Sequence, residues 1–169
     1  MELLDVEIID PIEKALVTSI ENKMKSTECL LKILSALMKK NELCMTKIAS
    51  SKLVPILVQI LKCSNAFEKY TNLCIEYTAC ILLDFIKNGA IKVGSLGKEG
   101  IESVLHILNT GSTNGKECAI QLVSIISYEQ REILLELGIV ALLISTITNN
   151  HNETIIAPAL LAVAVLTHW

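Results

Sequence analysis

The chain contains a single arginine, Arg131, and aromatic residues make up only 4% of its 169 positions. Phosphate recognition relies on arginine and lysine clustered along one face, so with a net charge of -3 a nucleic acid is not an expected partner. A core so poor in rings must be built from Leu, Ile, Val and Ala, which supply most of the 51% apolar content. That is the composition of a helical stack. Long apolar runs are missing too: the longest, Ile155 to Leu166, is broken by Pro158 and is too short to span a bilayer. The first residues, Met1 to Glu7, lack the basic region and long apolar core of a secretory signal. No membrane association is expected, and an intracellular home, cytoplasm or nucleus, is.

Chemistry-bearing clusters are equally scarce. Six cysteines (Cys29, Cys44, Cys63, Cys74, Cys80, Cys118) include no CxxC pair, and most fall on apolar stripes. Disulfide-rich domains are short and loop-rich, so buried free thiols in a reducing compartment are the expectation. His106, His151 and His168 are scattered without ligand-like spacing, and neither metal nor cofactor is expected. The one glycine cluster, Gly94, Gly97 and Gly100, is not a phosphate loop, because Lys98 is followed by Glu99 where a Walker loop needs Ser or Thr. Cys80 has no histidine on its own layer, so no nucleophile and base are paired. Glu28 and Glu117 recur at equivalent repeat positions, which follows from repetition and not from acid-base design. The chain reads as no enzyme.

What is present is a repeat. Ile12, Ala15 and Leu16; Leu53, Ile56 and Leu57; Ile101, Val104 and Leu105; and Val140, Leu143 and Ile144 each occupy the first, fourth and fifth positions of an apolar stripe. Their anchors lie 41, 48 and 39 residues apart. That is the spacing of stacked helical units, none of which can bury its apolar face alone. The reading is an all-α chain forming one domain, 1–169, with repeat pieces at about 10–40, 41–88, 89–128 and 129–169.

Local signals place the elements. Asp10 and Pro11 suit the opening of a first helix running to about Met24. A second starts at Ser26 and ends near Lys39 and Lys40. Short, middle and long helices follow at 41–50, 53–61 and 70–86, with a longer link at 63–69 and a stop at Asn88-Gly89. A weak, glycine-punctuated helix at 90–97 precedes helices at 101–109 and 116–127, separated by a loop from Gly111 to Gly115. The last unit spans 129–137, 140–147 and 153–169. Asn152, although part of a glycosylation sequon, is expected to cap its final helix. That helix runs to the chain end uncapped, as in a piece of a longer protein.

The segment from Arg131 to Ile144, with Gly138 at the junction before the apolar anchor, resembles an armadillo repeat. Pro158 to Val163 is similar to the start of third helices in the importin-α branch. HEAT repeats share the periodicity but usually have two helices per unit. The resemblance covers about 10–169 and implies a right-handed α-solenoid, an armadillo-like superhelix of roughly three and a half to four repeats. Its third helices would line a concave groove holding an extended peptide or a helix of another protein.

In the importin-α branch that groove carries an asparagine near the end of each third helix and a tryptophan one turn earlier. Those positions fall on Ala36, Asp84, Ser124 and Val165, and on Lys32, Cys80, Ile120 and Leu161. None matches, so nuclear-localisation peptides are not the expected ligand. One turn further lie Lys40, Asn88, Tyr128 and Trp169. Tyr128 and Trp169 suit a partly wet interface. Tyr77, Asp84, Glu76 and Glu117 would tint the middle of the groove acidic.

The resulting expectation is a non-catalytic protein-interaction scaffold. Its alternatives are an assembly element, self-associating through an exposed C-terminal repeat around Val163, Leu166 and Trp169, and a regulatory segment of a larger enzyme.

Overall fold

The computed structural model describes residues 7–22, 26–40, 42–62 and 71–168. Among the described residues the chain is all-α, with no strand. Its helices are α1 (Ile9–Glu21), α2 (Ser26–Lys40), α3 (Glu42–Ala49), α4 (Leu53–Lys62), α5 (Asn72–Lys87), α6 (Gly97–Thr110), α7 (Thr113–Glu129), α8 (Arg131–Glu136), α9 (Ile139–Asn149) and α10 (Glu153–Thr167), with a 3-10 turn at Val93–Leu96. The expected link at 63–69 lies outside the described residues.

Several boundaries differ from the sequence reading for identifiable reasons. Asp10 does not cap α1, whose N-cap is Ile8 without a side-chain bond; its carboxylate instead pairs with Lys47 of α3 at 2.8 Å. The segment before α6 supports only the 3-10 turn, because Gly97 adopts φ +63 and ends it. The Gly111–Gly115 loop is shorter than expected, since Ser112 caps α7 by accepting the Gly115 N–H at 3.1 Å. Asn152 caps α10 as expected, accepting the Thr154 N–H at 3.0 Å. At Gly89 and Gly138, both near φ +71, the chain takes the left-handed turn that glycine permits after a helix.

The packing follows chain order. α1 lies on α2, α4 on α5, α6 on α7 and α9 on α10, giving four layers. α2, α5, α7 and α10 also pack successively against one another, as α4 does against α6. Substantial packing among the described residues lies within a layer or between adjacent layers. The interior is aliphatic, with Leu16, Leu34, Leu57, Ile81, Leu122 and Ile139 fully buried; Phe85 is its largest side chain.

One polar device recurs at every layer junction. Near the start of each long helix a glutamate reaches the N-cap region of the next: Thr71 Oγ1 donates to Glu28 at 2.8 Å, Ser112 N–H to Glu76 at 2.8 Å, and Asn152 Nδ2 to Glu117 at 2.8 Å. Ser112 Oγ donates to the other Glu76 oxygen, and Thr154 Oγ1 donates to Glu117 at 2.7 Å. The recurrence of Glu28 and Glu117 thus has a structural use. A carboxyl group accepts what the cap donates, and the cap holds the helix that stacks next.

Gly115 shows how tight this junction is. A Cβ there would lie 2.5 Å from the Glu76 carboxyl carbon and 2.8 Å from its Cγ. In an open helix Gly→Ala stabilises by up to about 1 kcal/mol. Here the clash reverses the sign, and Gly115→Ala is expected to destabilise by about 1–2 kcal/mol in urea unfolding.

Candidate interaction surface

Helices α2, α5, α7 and α10 present the side chains from which a groove would be built. The junction glutamates and N-caps set their register: Glu28, Glu76 and Glu117 are equivalent, as are Thr71, Ser112 and Asn152. Carried along the helices, this register aligns Lys32, Cys80, Gln121 and Leu161, and one turn on Ala36, Asp84, Ile125 and Val165. Three of the four helices keep the alignment read from the sequence. In α7 it moves by one residue, because Glu117 takes the junction place held by Glu76 in the layer before. Gln121 and Ile125 take the places assigned to Ile120 and Ser124, both of which are buried beneath the face.

Across the middle of this face α5 and α7 are joined covalently, by a disulfide between Cys80 and Cys118. Their Cα atoms are 5.4 Å apart, within the usual range for a bridge. The expectation that all six cysteines are free thiols is therefore corrected for this pair; Cys44 and Cys74 are buried and outside any disulfide, Cys29 is exposed and outside any disulfide, and Cys63 lies outside the described residues. The two partners occupy positions one helical turn apart in the register, so equivalence between repeats gave no hint of the pairing. Next along the face, Lys87 Nζ donates to Gln121 Oε1.

Asp84 lies half-buried on the same strip of α5. Burial pushes its carboxyl above the usual range, against the pull of Lys39 and Lys87. The charged form is thus less favoured folded than unfolded, so ionising Asp84 costs stability as pH rises through its folded pKa. Below about pH 3.9, the ordinary aspartate value, the penalty is absent. Asp84→Asn is accordingly expected to raise the urea midpoint slightly at pH 7 and to leave it unchanged at pH 3.

A concavity opens at the C-terminal ends of α7 and α10. It has a volume of about 850 Å³ and is lined by Tyr128, Ile133, Leu161, Ala164 and Val165, with Glu129, Arg131, Glu132 and His168 at its polar positions. Tyr128 is 63% exposed. Arg131 opens α8, and its Nε and Nη2 donate to the Leu166 carbonyl at 3.2 and 2.8 Å, closing the end of α10 against the layer before it. In the sequence Arg131 stands out as the single arginine and as the first residue of the armadillo-like segment, and neither marks it as a cap. A cation three dozen residues from the carbonyl it caps leaves no local signal.

The remaining candidates are distributed as follows. Lys32 and Ala36 are exposed on α2, and Asn88 is exposed with its Nδ2 donating to the Asp84 carbonyl at 2.8 Å. Tyr77 is half-buried against the core. Glu76 does not tint a groove: it is 6% exposed and engaged with Ser112. Glu117 is likewise occupied by Asn152 and Thr154. Trp169 and the side chain of Lys40 lie outside the described residues. Among the described residues no three His, Cys, Asp or Glu side chains gather as a metal site, and no single helix is long and apolar enough to cross a membrane. No protein-family model, curated protein or solved structure matches the chain.

Proposed function

We propose that this chain is a non-catalytic protein-interaction scaffold, an armadillo-like right-handed solenoid whose long helices offer a groove to a peptide or helix of a partner protein. The observation that carries the reading is the concavity between α7 and α10. It combines an exposed tyrosine, a rarity in this chain, with the aliphatic wall of Leu161 and Val165 and a charged rim. Aromatic anchors at the edge of an apolar pocket are the usual carriers of binding energy in protein recognition. The layered packing and the repeated glutamate-to-cap bonds support the solenoid part of the reading, because the substantial packing among the described residues lies within a layer or between adjacent layers.

Selection of a phage-displayed random peptide library against the chain tests the proposal. Peptides that emerge should lose affinity for Tyr128→Ala by about 2 kcal/mol, roughly thirtyfold in Kd. Leu161→Glu should lose as much or more, with helical content unchanged. A library that yields no enriched sequence, or peptides indifferent to both substitutions, would remove the basis for the reading.

A further inference from the structure

The chain contains two Asn-Gly pairs, Asn88-Gly89 and Asn114-Gly115, and the fold treats them oppositely. In such a pair the backbone nitrogen that follows can reach the side-chain amide carbon with little hindrance, because glycine has no Cβ and few conformational limits. Asn88-Gly89 closes α5 and begins a stretch that runs outside any helix as far as Lys92. Both residues are exposed, and a Cβ placed on Gly89 would meet nothing within 4 Å. The turn is held by the Gly89 N–H on the Ile86 carbonyl at 3.0 Å, the Ala90 N–H on the Phe85 carbonyl at 2.9 Å and Asn88 Nδ2 on the Asp84 carbonyl at 2.8 Å. All three bonds lie at a helix end open to water, which frays locally at little cost while the layers stay folded. Asn114-Gly115 sits in the first turn of α7. Asn114 is exposed, but Gly115 is buried, its N–H donates to Ser112 Oγ at 3.1 Å, and the Glu76 carboxyl presses on it from the layer before. For the Gly115 nitrogen to turn toward the Asn114 side chain, the cap and the junction must both come apart.

We propose that Asn88 is a site of spontaneous modification, losing its amide to the backbone of Gly89, and that the layer junction shields Asn114 from the same reaction. The Gly89 nitrogen gives up its proton to water and attacks Asn88 Cγ. A C–N bond forms, the Cγ–Nδ2 bond breaks, and the nitrogen takes a proton back and leaves as ammonia, closing a five-membered imide. Water then opens one of the two C–N bonds of the ring, leaving an aspartate or an isoaspartate at position 88. Water is the only co-reactant. Either product adds a negative charge at the C-terminal end of α5, where the helix already carries partial negative charge, and removes the donor to the Asp84 carbonyl. Position 88 lies one turn beyond Asp84, so the reaction places a second carboxylate on this helix end. The isoaspartate also lengthens the backbone by a methylene, which puts the Gly89 and Ala90 N–H groups out of step with the Ile86 and Phe85 carbonyls.

Peptide mapping by mass spectrometry of the full chain, kept folded in mildly alkaline buffer, tests this, with the chain in denaturing urea as the reference. In urea both pairs should convert at similar rates, since both then have the same freedom. In the folded chain position 88 should convert to a mixture containing isoaspartate, while Asn114 keeps its amide over the same period. Gly89→Ala should abolish the conversion at position 88 within that period, because a Cβ then stands in the path of attack. Equal rates at the two positions in the folded chain, conversion at position 114 first, or loss of the amide at neither would overturn the proposal. Conversion at position 88 that yields aspartate alone, or that Gly89→Ala leaves unchanged, would exclude the imide route and the proposal with it.

Discussion

Reduction of the Cys80–Cys118 bridge is expected to lower the unfolding free energy by about 4 kcal/mol, the chain-entropy value for a loop of this length. The two cysteines are 38 residues apart and tie α5 to α7, so the oxidised chain cannot explore unfolded states in which those layers separate. Measured effects of removing a native bridge run from about 2 to 5 kcal/mol, which for a chain of this size is a fall in Tm of roughly 10 °C. Guanidinium unfolding with and without dithiothreitol provides the measurement. Cys80→Ser should reproduce the reduced chain and lose its response to dithiothreitol. Cys29→Ser, which removes an exposed free thiol, should change little. A thiol titration of the denatured, unreduced chain should show two fewer reactive groups than after reduction. Equal counts would mean that the bridge does not form.

Glu76→Ala should cost about 3 kcal/mol, and it should do so through the layer junction. Glu76 accepts both the Ser112 N–H and the Ser112 hydroxyl, while Ser112 Oγ in turn accepts the Gly115 N–H. Removing the carboxyl leaves a polar cap facing a void at the start of α7, where the helix N-terminus favours a negative group. Glu76→Gln keeps an acceptor for the N–H and is expected to lose about half as much. The two glutamates in equivalent places are more exposed, so Glu28→Ala and Glu117→Ala should each cost about 1 kcal/mol or less. Equilibrium urea unfolding of the three alanine variants would check this order. Equal losses at all three positions would show that burial does not set the strength of the tie. Glu76 and Gly115 touch, so their effects should not add.

Helices were legible where the apolar period was strong and the start or stop was chemical. α2, α4 and α5 lie within a few residues of their expected places, because the apolar period of α4 is strong and Ser26 and the Asn88-Gly89 stop act through neighbours in sequence. Asp10 misled, since its carboxylate had a choice between its own helix end and Lys47, and only the fold brings Lys47 to it. The glycine-rich stretch before α6 misled in the opposite way, its period being too weak to say that a single 3-10 turn would form.

The candidate site divides along the same line. That Leu161 and Val165 belong to one face could be read from repeat equivalence, because helical period and repeat length together assign a side chain to a face; Tyr128 lines the same concavity although the shift in α7 gives its repeat position to Glu129. The one-residue shift in α7, the Cys80–Cys118 bridge, the engagement of Glu76 by Ser112 and the capping of Leu166 by Arg131 could not be so read. The last three join groups more than thirty residues apart, and all four depend on how far one helix slides along its neighbour. Sequence by itself determined that the chain is helical, repetitive, aliphatic in its core and short of charge at its C-terminal end. Tertiary structure decided which of the periodic side chains meet, because axial offset between packed helices is set by the sum of many small contacts and is written in no single residue.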